Sequence, residues 1–138
     1  MASRARRTLS ERAAPMPLPA PKILPSVRLD FAGERRLGPG KILLLERIME
    51  TGSISAAGRR LKMSYRRAWL LVDAMNRMFT EPVVIAAMGG VHGGGAEVTD
   101  FGRRLIETYR AVEKRVADDA NAAFADFREH YRPGKDHD

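Results

Sequence analysis

The chain has 138 residues, of which 44% are apolar, enough for one domain with a modest core. Its 24 Lys and Arg against 17 Asp and Glu leave a net charge of +7, which favours polyanionic partners such as nucleic acid or an anionic membrane without choosing between them. The lack of cysteine excludes a disulfide framework and a thiolate metal site, and the longest fully apolar run, residues 83–88, is far below the roughly 18–20 residues of a membrane span, so a soluble cytoplasmic protein is expected.

Residues 1–26 carry arginines at 4, 6, 7 and 12 and prolines at 15, 17, 19, 21 and 25, the composition of a disordered arm. Five basic residues against the single acid Glu11 put more than half of the net charge here. Such an arm can lie along phosphates or enter a minor groove, and a solvated tail fits its composition equally well. It lacks the apolar stretch of ~7–15 residues that a signal peptide requires.

Apolar and charged residues alternate over 27–31, the pattern of a half-buried strand. The Gly38-Pro39-Gly40 break precedes KILLLERIMETG, where Ile42, Leu45, Ile48 and Met49 have helical spacing and Gly52 supplies a stop. This is read as the first, purely packing helix of a three-helix core.

Residues 52–76, GSISAAGRRLKMSYRRAWLLVDAMN, read as two short helices joined by a tight turn. Ser53 or Ser55 caps the first, and Ala56, Ala57 and Gly58 let another helix approach closely. Lys62-Met63-Ser64 leaves room only for a turn, with Ser64 capping a second helix that runs to Phe79. At about 100° per residue, Tyr65, Ala68, Trp69, Val72, Asn76 and Phe79 share an arc expected to be core. Arg66, Arg67, Leu70, Asp73 and Arg77 share the opposite arc.

Two arginines in the first turn of a capped helix, beside the positive end of its dipole, suit DNA. In a helix-turn-helix the second helix enters the major groove with its first residues at the base edges, where a guanidinium can bond guanine O6 and N7 together. Leu70, one turn on, can lie against a thymine methyl. Arg77 is four residues after Asp73 and is read as its ion-pair partner.

Glu81-Pro82 ends that helix. VVIAAM and the strand from Ala96 to Thr99 flank five glycines in the seven residues 89–95, which makes a hairpin, the wing of a winged helix. Backbone N–H groups of the tip, with His92, Gly93 and Gly94, can cradle a DNA phosphate; a merely mobile loop is the plain alternative. A dinucleotide fingerprint does not fit, because a strand and not a helix follows the glycines.

From Thr99 or Asp100 as cap, one long helix is expected to the Arg132-Pro133-Gly134 break, about 30 residues and therefore about 45 Å. Leu105, Tyr109, Val112, Val116, Ala120, Ala123, Phe127 and Tyr131 form a seam with steps of three and four. A small domain can cover only its proximal part, so Val112, Val116, Ala120, Ala123 and Phe127 are expected to face a second copy. The fold class is thus mainly α with a small β-hairpin, a winged helix-turn-helix with a long C-terminal dimerisation helix. Its parts are the arm (1–26), the DNA-binding domain (27–98), the dimerisation helix (99–132) and a tail (133–138).

The GSIS…SYxxAW pattern (Gly52 to Ser55, then Ser64, Tyr65, Ala68 and Trp69) and the glycine-rich wing running into Thr99, Gly102 and Leu105 resemble the N-terminal domain of the ModE-type molybdate-responsive transcription regulators. These are winged helix-turn-helix proteins distantly similar to LysR-type regulators. The resemblance covers about residues 27–115. It implies a homodimer on a palindromic operator, in control of molybdenum uptake or molybdenum-enzyme genes. Ser64, Tyr65, Arg66 and Arg67 match the start of the family's recognition helix and His92 to Gly95 its wing; Ser53 and Ser55 are counted with them as DNA-binding. The C-terminal oxyanion-binding modules of typical members have no counterpart, so the chain resembles a stand-alone branch. A molybdate or tungstate effector, or a separate sensor protein, is then the open partner besides double-stranded DNA.

A sequence-tolerant nucleic-acid-binding or architectural protein is the alternative, favoured by the basic arm. An enzyme is the weakest reading: histidines stand only at 92, 130 and 137, and no cysteine or carboxylate cluster joins them. No catalytic residue, metal or cofactor is expected.

Overall fold

The computed structural model describes residues 20–87 and 95–134. The chain divides into two compact units, Leu24–Asp119 and a smaller one made from the described parts of Met1–Ile23 and Ala120–Asp138. Among the described residues, no helix is long and apolar enough to cross a membrane.

The larger unit opens with β1 (Leu29–Phe31), which pairs antiparallel with β2 (Arg35–Leu37), Leu29 opposite Leu37 and Phe31 opposite Arg35. Alternation predicts the first strand. The second carries no such signal, because Arg35-Arg36-Leu37 has a single apolar residue, and the pairing is imposed by the tight turn before it. Helix α1 (Pro39–Thr51) has proline in its first turn and ends where Gly52 turns left-handed at φ 68°, its N–H bonded to the Ile48 carbonyl at 2.8 Å. Its buried side chains are Ile42, Leu44, Leu45 and Ile48. Met49, expected in that seam, is exposed, since Leu44 takes the inner place one step round the helix.

Helix α2 (Ile54–Arg60) is capped by Ser53, whose hydroxyl accepts from the Ala56 N–H at 3.0 Å. A turn in which Lys62 has φ 57° leads to α3 (Tyr65–Met78), capped by Ser64 through the Arg67 N–H at 3.1 Å. The two helices meet closely at Gly58, where a Cβ would lie 3.1 Å from that of Ala68. Strands β3 (Val84–Ala87) and β4 (Gly95–Val98) pair antiparallel, with Val84 opposite Val98 and Ala87 opposite Gly95. This is a winged helix-turn-helix with an added N-terminal hairpin.

Helix α4 (Asp100–Ala123) is capped by Thr99, whose hydroxyl accepts from the Gly102 N–H at 2.9 Å and donates to the Pro82 carbonyl at 2.7 Å. Ile106 and Tyr109 are buried, and the Tyr109 hydroxyl donates to the Val27 carbonyl at 2.5 Å. Burial, then the nearby Glu113, raises the Tyr109 pKa and keeps the phenol a donor. Arg110 grips α1 through both oxygens of Glu46, at 2.6 and 3.1 Å, and also reaches Glu113 at 2.7 Å. The winged-helix core therefore runs past the boundary expected at residue 98.

The single helix expected to residue 132 ends at Ala123. Phe124 (φ −99°, ψ 20°) interrupts it before the short α5 (Ala125–Glu129). Arg128 donates to the Asn121 carbonyl at 3.4 Å. In this smaller unit Asn121 also bonds Ile23 in both directions, accepting from its N–H at 2.8 Å and donating to its carbonyl at 2.9 Å. Arg128 donates to the carbonyls of Pro21 (2.9 Å) and Ala20 (3.2 Å). The described part of the arm expected to be disordered, residues 20–26, forms no helix or strand, and the backbone of Ala20, Pro21 and Ile23 is held by these side chains.

Candidate nucleic-acid interface

Ser64 sets the direction of α3, and its tight contact with α2 at Ala68 sets its rotation. Ala68, Val72 and Met75 are its buried side chains. Arg66, Arg67 and Leu70 face solvent, as the sequence predicts, and among the described residues neither arginine is in an ion pair. Arg77 pairs with Asp73 at 3.0 Å. The expected core arc is wrong at its edge: Tyr65 is 59% and Trp69 47% exposed. With the close contact centred on Ala68, both aromatics fall on the flank of the helix, while Leu71 and Met78 pack against the core in their stead.

On that flank, α3 and the wing strands enclose a groove of about 340 Å³. Tyr65, Trp69, Val72, Ile54, Ile85 and Ala86 line it, no lysine or arginine does, and Asp73 is one of its walls. Asn76 fixes the wing to the helix. Its Oδ1 accepts from the N–H groups of Val83 (2.7 Å) and Val84 (3.2 Å), and its Nδ2 donates to the Val84 carbonyl at 3.0 Å. β4 is tied to the end of α1 by the Ala96 N–H, which donates to the Gly52 carbonyl at 2.9 Å. His92, Gly93 and Gly94 lie outside the described residues.

The GSIS serines are part-buried and already serve the fold. Ser53 caps α2, and Ser55 accepts from Arg59 at 2.8 Å. Each hydroxyl keeps its own hydrogen for a further acceptor. Val112 and Ala120 are half-buried, Val116 and Ala123 are exposed, and Phe127, on α5, is 68% exposed. Among the described residues, no cluster of three or more His, Asp or Glu could hold a metal.

The sequence reading missed the opposite flank of α3. There β1–β2, the start of α1 and the last turn of α3 enclose a second space of about 340 Å³, lined by Glu34, Arg35, Arg36, Lys41, Ala74, Arg77 and Met78. Arg35 donates to the Arg77 carbonyl, and Lys41 to the Arg36 carbonyl at 2.5 Å. Burial, then the charge of Arg36, holds the Lys41 pKa below its usual value. The adjacent arginines at 35 and 36 were the visible signal, but only the hairpin turns them toward Arg77.

No family model matches the chain. It is 40% identical over 94 residues to the molybdenum transport protein ModE of Azotobacter vinelandii, covering 68% of this chain and 35% of that protein. To the molybdenum-pterin-binding protein MopB of Rhodobacter capsulatus it is 50% identical over 82 residues, 59% of this chain and 30% of that one. To the DNA-binding transcriptional dual regulator ModE of Escherichia coli K12 it is 41% identical over 71 residues, 51% of this chain and 27% of that one.

The chain is a relative of the ModE-type regulators.

It spans about a third of the length of the ModE and Mop proteins it matches. The fold agrees with this relationship: the CbnR DNA-binding domain, solved as a DNA complex, superimposes with a TM-score of 0.50 at 17% identity, over 62% of this chain and 93% of that one. The winged helix-turn-helix expected from the sequence is thus the fold observed.

Proposed function

We propose that the protein is a cytoplasmic, sequence-specific DNA-binding transcription regulator that acts as a homodimer in molybdate or tungstate homeostasis, and is not an enzyme. The observation that carries this reading is the first turn of α3, where Arg66 and Arg67 stand exposed and, among the described residues, without carboxylate partners beside a Ser64-capped helix N-terminus. Charge of this kind at the start of a recognition helix is arranged for base edges and phosphates in a major groove. The names of the ModE relatives support the regulator and molybdenum parts.

In this mechanism Ser64, Tyr65, Arg66 and Arg67 enter the major groove and Leu70 meets a thymine methyl. The N-terminal end of α2, with Ser53 and Ser55, approaches a phosphate, and the wing, with His92, Gly93 and Gly94, meets the neighbouring backbone. Val112, Val116, Ala120 and Ala123 form one face of α4 at i, i+4, i+8 and i+11, and with Phe127 they are proposed to join two copies. Two half-sites then lie one or more helical turns apart, about 34–36 Å each. Phe127→Asp is expected to give monomers in sedimentation; an unchanged dimer would remove Phe127 from the interface.

The deciding experiment is selection of bound duplexes from a randomised DNA pool at near-physiological salt, with and without molybdate. An enriched inverted repeat is expected. Salt-sensitive binding with no enriched motif would favour the second reading, a sequence-tolerant nucleic-acid-binding protein, which rests on the +7 charge. A change in enrichment on adding molybdate would place an oxyanion effector on this chain itself.

A further inference from the structure

The space between the β1–β2 hairpin and the last turn of α3 carries four cations, Arg35, Arg36, Lys41 and Arg77, against the single acid Glu34. Arg77 is paired with Asp73, and Arg36 lies 3.6 Å from an Asp30 that Arg28 already holds at 3.1 Å. Among the described residues, Arg35 and Lys41 reach only backbone carbonyls, so no carboxylate there cancels their charges. Ala74 leaves the floor of the space open. An anion seated there would relieve the cost that burial and Arg36 impose on the Lys41 ammonium.

The place of this space on α3 suggests which anion. Arg67, Leu70, Ala74 and Arg77 follow one another at i, i+3, i+7 and i+10 and so share one stripe of the helix. From Arg67 to Arg77 is ten residues, about 15 Å along the axis. The major groove is about 12 Å wide. A helix with its first turn at the base edges therefore carries its last turn to the phosphate ridge that bounds the groove. We infer that the pocket formed by Arg35, Arg36, Lys41 and Arg77 binds a backbone phosphate of the DNA that α3 reads, a contact that rests on the recognition role proposed above. Its chemistry, a tetrahedral oxyanion between guanidinium and ammonium groups, is shared by free inorganic phosphate.

The test compares the salt dependence of DNA binding by the full chain and by its Lys41→Gln and Arg35→Gln variants, on a selected duplex and on an unrelated one. Each substitution is expected to weaken both duplexes by the same factor, to leave base preference intact, and to reduce the log–log salt slope by about 1. Lys41→Gln leaves the Arg35 contact with the α3 carbonyl in place, so it remains informative if Arg35→Gln unfolds. A wild-type slope for Lys41→Gln, in protein with an unchanged melting curve, would overturn the inference. The recognition reading fails separately: without an enriched motif, the slope on any duplex still reports the pocket.

Two further arms separate the sources of phosphate. A neutral methylphosphonate walked along the duplex is expected to weaken wild type at one position where Lys41→Gln shows no added loss. Saturable inorganic phosphate binding to the free protein, abolished by Lys41→Gln while the DNA slope stays unchanged, would assign the pocket to a free oxyanion and overturn the DNA contact.

Discussion

On its wing side α3 borders a groove of aromatic and aliphatic side chains with Asp73 in its wall; on its hairpin side it borders a space of equal volume holding four cations and Glu34. Volume does not separate the two; lining chemistry does. The wing-side groove offers a phosphate no cation, its Asp73 being already paired with Arg77, and can desolvate a thymine methyl or the carbons of a deoxyribose. The hairpin-side space attracts a phosphate and has no apolar wall wide enough for a base. If the proposed DNA contacts hold, one helix divides its labour, with specificity drawn from its first turn and wing flank and affinity from its last turn.

The most drastic way to break this contrast is Gly102→Ala. An added Cβ would stand 2.5 Å from the Val83 carbonyl and 2.8 Å from the Val98 side chain, so the wing strands must shift. A loss of about 3 kcal/mol in urea unfolding is expected. An unchanged midpoint would mean that the wing flank is not rigid. Asn76→Ala comes next, because it leaves the N–H of the fully buried Val83 without its partner. It should cost about 2–3 kcal/mol in stability and loosen the wing, with the salt slope of DNA binding unchanged; a fall in slope would show that the two flanks are not independent.

Smaller substitutions sharpen the division. Arg66→Ala or Arg67→Ala is expected to cost about 1–3 kcal/mol on the best site and to relax preference at one base pair, in competition binding. Equal weakening on every sequence would reduce both arginines to phosphate contacts. Trp69→Ala should cost about 1 kcal/mol and should erase the penalty for replacing one thymine by uracil, since both changes remove the same apolar contact. As the chain has one tryptophan, DNA binding should also shift its fluorescence. A silent Trp69 would take the wing-side groove out of the interface.

Much of this candidate interface is legible in the sequence because it is local. Ser53 and Ser64 cap helices by bonding an N–H three residues on, Gly52 ends α1 with its own left-handed turn, and the β3–β4 hairpin follows from strand residues on either side of glycines. The exposed face of Arg66, Arg67 and Leu70 follows from helical spacing alone. The misreading of Tyr65 and Trp69 has a physical source: an arc of apolar residues wider than the contact it feeds does not say which of its members lie at the centre. Ala68 does so here because Gly58 on another helix lets the backbones approach.

The nonlocal features were beyond such reading. Strand β2, the Asn76 link to β3, the Thr99 bond to the Pro82 carbonyl and the Arg110 grip on Glu46 each join residues whose side chains carry no mark of their partner. Thus the sequence by itself narrowed each cap to one or two residues and determined the turns, the wing hairpin and the basic face of α3, because each arises from backbone geometry and spacing within a few residues. Only the tertiary structure decided the rotation of α3, the break at Phe124 and the gathering of Arg35, Arg36, Lys41 and Arg77 into one pocket. Those depend on which surfaces approach one another, and that is settled by packing across the whole core.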